Sequence, residues 1–117
     1  MTTTENVTDG LIPADVLASQ TAVAVYGLAR IKPGREEQFR ELVASVIPQV
    51  RAEAGYEQYA VHAANAEPGA FAFYERWESG AALLAHVQQP FMQAYFAQLP
   101  DLLAADLEAH WLTPVGA

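Results

Sequence analysis

The chain has 117 residues, with fourteen acidic side chains against six basic ones, a formal charge of −8 and no cysteine. That length suits one domain with a core of its own. The lack of any Lys/Arg run argues against nucleic acid and against an anionic membrane surface, and the lack of thiols excludes disulfides, thiolate metal sites and thiol catalysis.

With 52% hydrophobic residues the chain reads as globular. No stretch of about 18 apolar residues is present to span a bilayer. The first ten residues, MTTTENVTDG, have no basic segment followed by an apolar one, so no secretory signal is expected, and a cytoplasmic location fits the cysteine-free composition.

Residues 1–20 are polar and then weakly apolar, and Pro13-Ala14-Asp15 can start a helical turn; the segment reads as a tail or an arm, with the domain proper over 21–117. The first strand is expected over 21–31. Val23, Val25, Gly27, Ala29 and Ile31 share one face, while Ala22, Ala24, Tyr26 and Leu28 share the other. Both faces are apolar, so both need cover, which suggests helices on one side and a partner subunit on the other. Gly27 leaves room for a ligand or another backbone.

After the turn Lys32-Pro33-Gly34, apolar residues from Phe39 to Val50 recur at helical spacing, giving an amphipathic helix over about 35–53. Pro48 is expected to kink it or end it early. Gly55 stops it. A second strand follows over 56–63, with Glu57, Tyr59, Val61 and Ala63 on one face and Tyr56, Gln58, Ala60 and His62 on the other. The loop Asn65-Ala66-Glu67-Pro68-Gly69 leads into a third strand over 71–77, where Phe71, Phe73, Glu75 and Trp77 face one way and Ala72, Tyr74 and Arg76 the other. Ser79 is a plausible N-cap for a helix over 80–89, Pro90 interrupts it, and a second helical piece runs over 91–103. A fourth strand is expected over 105–115, with Leu107, Ala109 and Trp111 on one face. The order strand, helix, strand, strand, helix, strand is that of an α+β, ferredoxin-like βαββαβ unit with a four-stranded antiparallel sheet.

This order, with its local motifs, resembles the antibiotic biosynthesis monooxygenase family over roughly residues 22–115. The motifs are Arg30-Ile31-Lys32-Pro33-Gly34-Arg35-Glu36, Glu53-Ala54-Gly55, and Tyr74-Glu75-Arg76-Trp77-Glu78-Ser79 followed by Ala82-Leu83-Leu84-Ala85-His86. Two departures stand out: Ala54 replaces the family's usual proline, and a second histidine expected after His86 is missing, the chain reading Gln88-Gln89-Pro90-Phe91 there. The resemblance implies a homodimer of such units, a dimeric α+β barrel, with a pocket in each subunit between sheet and helices. It also implies cofactor-free oxygenation of a phenolic, quinol or polyketide-type aromatic by O2. Haem-binding and haem-degrading proteins share the fold, but no Asn lies in the first strand to accompany Trp77 and His86. A small-ligand binding protein, or an isomerase or cyclase on the same barrel, is the other alternative.

An organic singlet reacts with triplet dioxygen only after electron transfer, and an electron-rich phenolate can supply that electron in place of a flavin or metal. The protein must then bind a flat aromatic, take a proton and exclude water. His86 is the candidate base, because an ordinary imidazole titrates near pH ~6.5; the plainer reading is a half-buried histidine bonded to backbone or to Glu75. Trp77 offers a stacking ring and an N–H donor for a phenolate or peroxide oxygen, or merely fills the core. Glu75 shares its face and either orients His86 or braces the junction. Tyr59, Phe73, Phe91 and Tyr95 are the expected aromatic walls of a substrate box, or else core. Tyr74 and Arg76 fall to the subunit interface. No metal site is expected, since His62, His86 and His110 lie on separate elements with no paired spacing.

Overall fold

Strand alternation and helical spacing close into one antiparallel sheet whose apolar face is covered by helices. The computed structural model describes residues 12–116. In chain order these form α1 (Ala14–Leu17), β1 (Val23–Arg30), α2 (Glu36–Arg51), β2 (Tyr56–Ala63), β3 (Ala70–Trp77), α3 (Gly80–Val87), α4 (Pro90–Leu102) and β4 (Glu108–Leu112). The strand order is β2-β3-β1-β4, the ferredoxin-like arrangement.

The helices bury the expected stripes. Phe39, Val43, Val46 and Val50 of α2, Leu83 and Val87 of α3, and Met92, Phe96, Leu99 and Leu102 of α4 join Val23, Ala29, Phe71 and Trp77 of the sheet in one core. Each large apolar side chain so buried contributes roughly 1.5–3 kcal/mol. Glu36 and Glu37 in the first turn of α2 and Arg51 in its last complement the helix dipole. Pro48 does not end α2, which runs on to Arg51. The carbonyl that Pro48 leaves without a donor belongs to Ala44, which is exposed and so open to water. Ser79 caps α3 as its sequence position suggests, its hydroxyl accepting from Ala82 N at 3.1 Å.

Three details depart from the expected pattern. A β-bulge between Tyr56 and Gln58 makes Glu57 the extra residue, so Tyr56 pairs with Trp77 and packs on the core side, its ring 6.1 Å from the indole. Glu57 instead bonds Arg76 at 2.6 Å. Strict alternation had assigned these two to the opposite faces. Second, β4 is shorter than expected, because Leu112 already lies opposite Ala24 near the start of β1 and the chain beyond has little strand left to pair with. Third, α3 ends at Val87, and Pro90 opens α4 at a position where its missing N–H is not needed.

Gly27 makes room for backbone. A Cβ there would lie 1.9 Å from the Glu108 carbonyl and 2.8 Å from the tip of Phe73. Residues 1–11 of the expected arm lie outside the described residues. The rest of it, including α1, lies on the start of α3: Gly80 N donates to Ser19 O at 2.9 Å, and a Cβ on Gly80 would meet the Val16 and Leu17 carbonyls at 2.3 Å.

Candidate active site

The site is built where two chain corners meet. Gly55, at φ 82°, turns the chain out of α2 and packs against the start of α3, so closely that a Cβ would lie 2.5 Å from Ala82 Cβ. Glu78 N donates to Gly55 O at 2.9 Å, locking the α2–β2 corner onto the β3–α3 corner. Glu53 in the first corner is thereby brought against His86 on α3.

The register places the other groups. Glu75 lies on β3 between Val25 of β1 and Tyr59 of β2, and Trp77 follows two residues on, between Val23 and Tyr56. The result is a row of three titratable side chains. His86 Nδ1 lies 2.7 Å from Glu53 Oε2, and its Nε2 lies 3.7 Å from Glu75 Oε1. The Trp77 indole donates to the same Glu75 Oε1 at 3.0 Å, and its ring stacks on the imidazole with centroids 4.4 Å apart.

His86 is 1% exposed and Trp77 fully buried, while the side chains of Glu53 and Glu75 are 8% and 15% exposed. Burial governs their protonation. It pushes Glu53 up to about 7, helped by the charge of Glu75. It pushes Glu75 up to about 7 as well, the Trp77 N–H opposing it in part. It pulls His86 down to about 4, so the ring is neutral at physiological pH. The phenols of Tyr59 and Tyr95 are raised for the same reason and stay protonated.

Glu75 and Phe73 line both lobes of an apolar cleft between the sheet and α3/α4, each lobe about 50 Å³ in volume. Tyr59 and Tyr95 wall one lobe, and His86 and Trp111 wall the other. Of the residues expected in the site, Glu75, His86, Tyr59, Phe73 and Tyr95 thus border one cleft. Phe91 does not: it lies half-buried against the core and lines neither lobe, because at the first turn of α4 it sits one turn away from Tyr95. Trp77 stands behind the wall, its N–H donating to Glu75 and so not offered to a ligand oxygen. Glu53 was not among the expected site residues. It lies 33 positions before His86 in a corner, and only its place in the Glu53-Ala54-Gly55 motif marked it out.

The row is not built for a metal or for haem. The two carboxylates address opposite nitrogens of one ring and so do not converge on a point, and among the described residues no cluster of three His, Asp or Glu could hold an ion. An axial haem ligand must turn a nitrogen to the macrocycle, whereas His86 is buried with one nitrogen on Glu53 and the other toward Glu75.

The family model described as antibiotic biosynthesis monooxygenase matches residues 22–98. An uncharacterized protein of Synechocystis, sll1783, is 33% identical over 94 residues, which cover 80% of this chain; the chain spans just 64% of that relative's length. The Bacillus subtilis protein YcnE, provisionally named a monooxygenase, is 28% identical over 86 residues, covering 74% of this chain and 90% of YcnE. Among solved structures, Rv0793 from Mycobacterium tuberculosis superposes with a TM-score of 0.78 at 28% identity, over 83% of this chain and 98% of its own.

Proposed function

Because this chain belongs to the antibiotic biosynthesis monooxygenase family, we propose that it oxygenates an electron-rich aromatic, a phenol, hydroquinone or anthrone, with O2 and with no cofactor as electron donor. The observation that carries this reading is Glu75: a carboxylate in the wall of an apolar cleft, raised to about 7 and backed by Trp77 and His86. An acid with a pKa near the working pH is well matched to proton abstraction.

In this reading the cleft opens to take the flat substrate between Phe73 and the tyrosines. Glu75 takes a proton from it, with His86 directly behind as the next acceptor, so that the acid, rather than the imidazole expected from sequence, touches the substrate. The anion passes one electron to O2, and the radical pair recombines as a peroxide on carbon. Protonation and loss of the second C–H proton then expel water and leave a carbonyl. For an anthrone the methylene loses two hydrogens and gains one oxygen, a four-electron oxidation that balances the reduction of O2 to one carbonyl oxygen and one water. The proton that Glu75 accepted is returned to the departing oxygen. The apolar walls keep bulk water from the anion and the peroxide.

The outer face of the sheet supports a second copy as partner. Tyr26 and Leu112 on it are 47% and 40% exposed, and Tyr26 stacks on His110 at 4.9 Å.

The test is incubation with a panel of hydroquinones and anthrones, with and without oxygen, following quinone absorbance. Turnover that requires O2 and incorporates one labelled oxygen atom is the expected result. Turnover without oxygen would point instead to an isomerase or cyclase, and binding with no turnover to a ligand carrier.

A further inference from the structure

Glu53 has no place in the chemistry above, yet it makes the shortest contact in the cluster, 2.7 Å to His86 Nδ1. It does not touch the cleft. Its carboxylate reaches His86 from the α2–β2 corner, on the side of the ring away from Glu75. A carboxylate so buried is costly unless it has a defined partner, and the ring nitrogen is that partner.

We propose that Glu53, His86 and Glu75 form a two-state proton row, in which Glu53 is a positioning residue that sets the tautomer of His86 and stores the proton taken in the cleft. The inference rests on the oxygenase reading for its use, but not for its existence. In the first state Glu53 is ionised and accepts from Nδ1–H, leaving Nε2 bare toward Glu75. A proton arriving on Glu75 passes to Nε2 while the Nδ1 proton passes to Glu53. In the second state Glu53 is protonated and donates to Nδ1, His86 carries its proton on Nε2, and Glu75 is a carboxylate again. One proton enters at Glu75 and one is held at Glu53, with the imidazole neutral in both states. Reversal delivers the proton back to the cleft.

Three observations make the row work. The ring is clamped, stacked on Trp77 at 4.4 Å and edge-on to Tyr59 at 5.8 Å, so it exchanges protons without turning over. Glu75 Oε1 is held by the Trp77 indole at 3.7 Å from Nε2, a gap that must shorten to hydrogen-bond length for the transfer. Finally, Glu53 is raised to about 7, so it both fills and empties near neutral pH, while burial keeps His86 from becoming a persistent imidazolium.

Among the described residues, few titratable groups face this row. Glu53 comes from the corner after α2, Glu75 from β3, Tyr59 from β2 and Tyr95 from α4. Both phenols are raised by burial and do not titrate near neutrality. From β1 and β4 the cleft around His86 receives apolar groups and the Trp111 indole. A tautomer change near pH 7 therefore reports on the two carboxylates.

The experiment is long-range proton–nitrogen NMR of the imidazoles in 15N-labelled full-length protein, with His62→Asn and His110→Asn to isolate His86 among the three histidines. Between about pH 5.5 and 8.5 the expected result is a neutral ring throughout, with the proton on Nδ1 at high pH and moving to Nε2 as Glu53 fills. In Glu53→Gln, which is isosteric and cannot store a proton, the move of the proton from Nδ1 to Nε2 on lowering the pH is lost. An imidazolium at neutral pH, a tautomer fixed in the wild type, or an unchanged pH response in Glu53→Gln each overturns the proposal. Anthrone serves as the activity probe. Glu53→Gln should lower kcat by ~10–100-fold with KM nearly unchanged, and Glu53→Asp should recover part of it; a wild-type rate in Glu53→Gln overturns the storage role. If the wild type leaves anthrone untouched, the oxygenase reading with this probe fails, while the tautomer measurement still decides the row.

Discussion

At the scale of single residues, the site concentrates groups that burial drives toward neutrality, and this has a signed effect on stability. Glu53 and Glu75 rise from an ordinary value of 4.5 to about 7. The folded protein therefore binds more protons than the unfolded chain between those values, so both residues make stability fall as pH rises through that window and keep it lower above pH 7. His86, lowered from 6.5 to about 4, works in the opposite sense, its share of stability rising with pH between those limits. Two groups against one leave a net loss toward alkaline pH. Glu75→Gln removes one of the two while keeping an acceptor for the Trp77 N–H. Its melting temperature should exceed that of the wild type near pH 8, by up to about 3 kcal/mol in stability, with the advantage shrinking toward pH 4.5. Thermal scans across pH check this, and parallel curves would sink it. The same variant should abolish oxygen-dependent turnover if Glu75 takes the proton. Trp77→Phe keeps the stacked ring and deletes the donor that lowers Glu75. The acid limb of the rate profile should then move to higher pH; a profile identical to the wild type would reduce Trp77 to packing.

At the scale of elements, the face assignments of β1, β3 and β4 and the apolar stripes of the helices were legible because period-two and period-3.6 patterns are local properties of the chain. Ser79 was legible as a cap for the same reason. The bulge at Glu57 was not, because Tyr56 and Glu57 both read as plausible strand residues and only pairing with Trp77 and Arg76 decides their faces. Neither was the Glu53–His86 contact, since it depends on two corners locking together through Gly55 and Ala82. Phe91 was assigned to the pocket by residue type, and the helix start puts it elsewhere. These element contacts are themselves testable. Gly27→Ala drives a Cβ into the Glu108 carbonyl, a backbone atom that cannot yield without unpairing β4. The loss should be at least ~2 kcal/mol by urea unfolding, at the upper end of overpacking costs; a loss below 0.5 kcal/mol, on the order expected of a neutral surface change, would show that β4 shifts freely. Gly80→Ala should act on α1 instead, pushing the Val16 and Leu17 carbonyls away while leaving the core intact. Hydrogen exchange should then quicken at residues 16–19 and Gly80 before anywhere else, and uniform exchange would contradict that arm-to-helix contact.

At the scale of the whole molecule, the helices cover one face of the sheet and leave the other to water. Among the described residues, that outer face presents little unpaired charge. Its ions are matched internally: Arg76 with Glu57 at 2.6 Å, and Arg30 with Glu67 and Glu108 at 2.6 and 3.1 Å. Between them lie Tyr26 and Leu112, both more than a third exposed, with His110 stacked on the tyrosine. An aromatic face close to neutral, two arginines against three glutamates, on a chain of charge −8 is suited to burial against a copy of itself, since most of the repelling charge lies away from the contact. Two copies at −8 still repel at long range, so association should tighten with salt, opposite to an interface held by ion pairs. Light scattering at micromolar concentration should therefore give twice the chain mass, more completely at about 0.5 M than at about 0.05 M salt. Tyr26→Arg places a cation at the centre of β1, opposite Tyr74 and beside His110, and should return the protein to monomer without loss of fold. A monomeric wild type at every salt concentration, or a Tyr26→Arg dimer as tight as the wild type, would remove this face as the subunit interface.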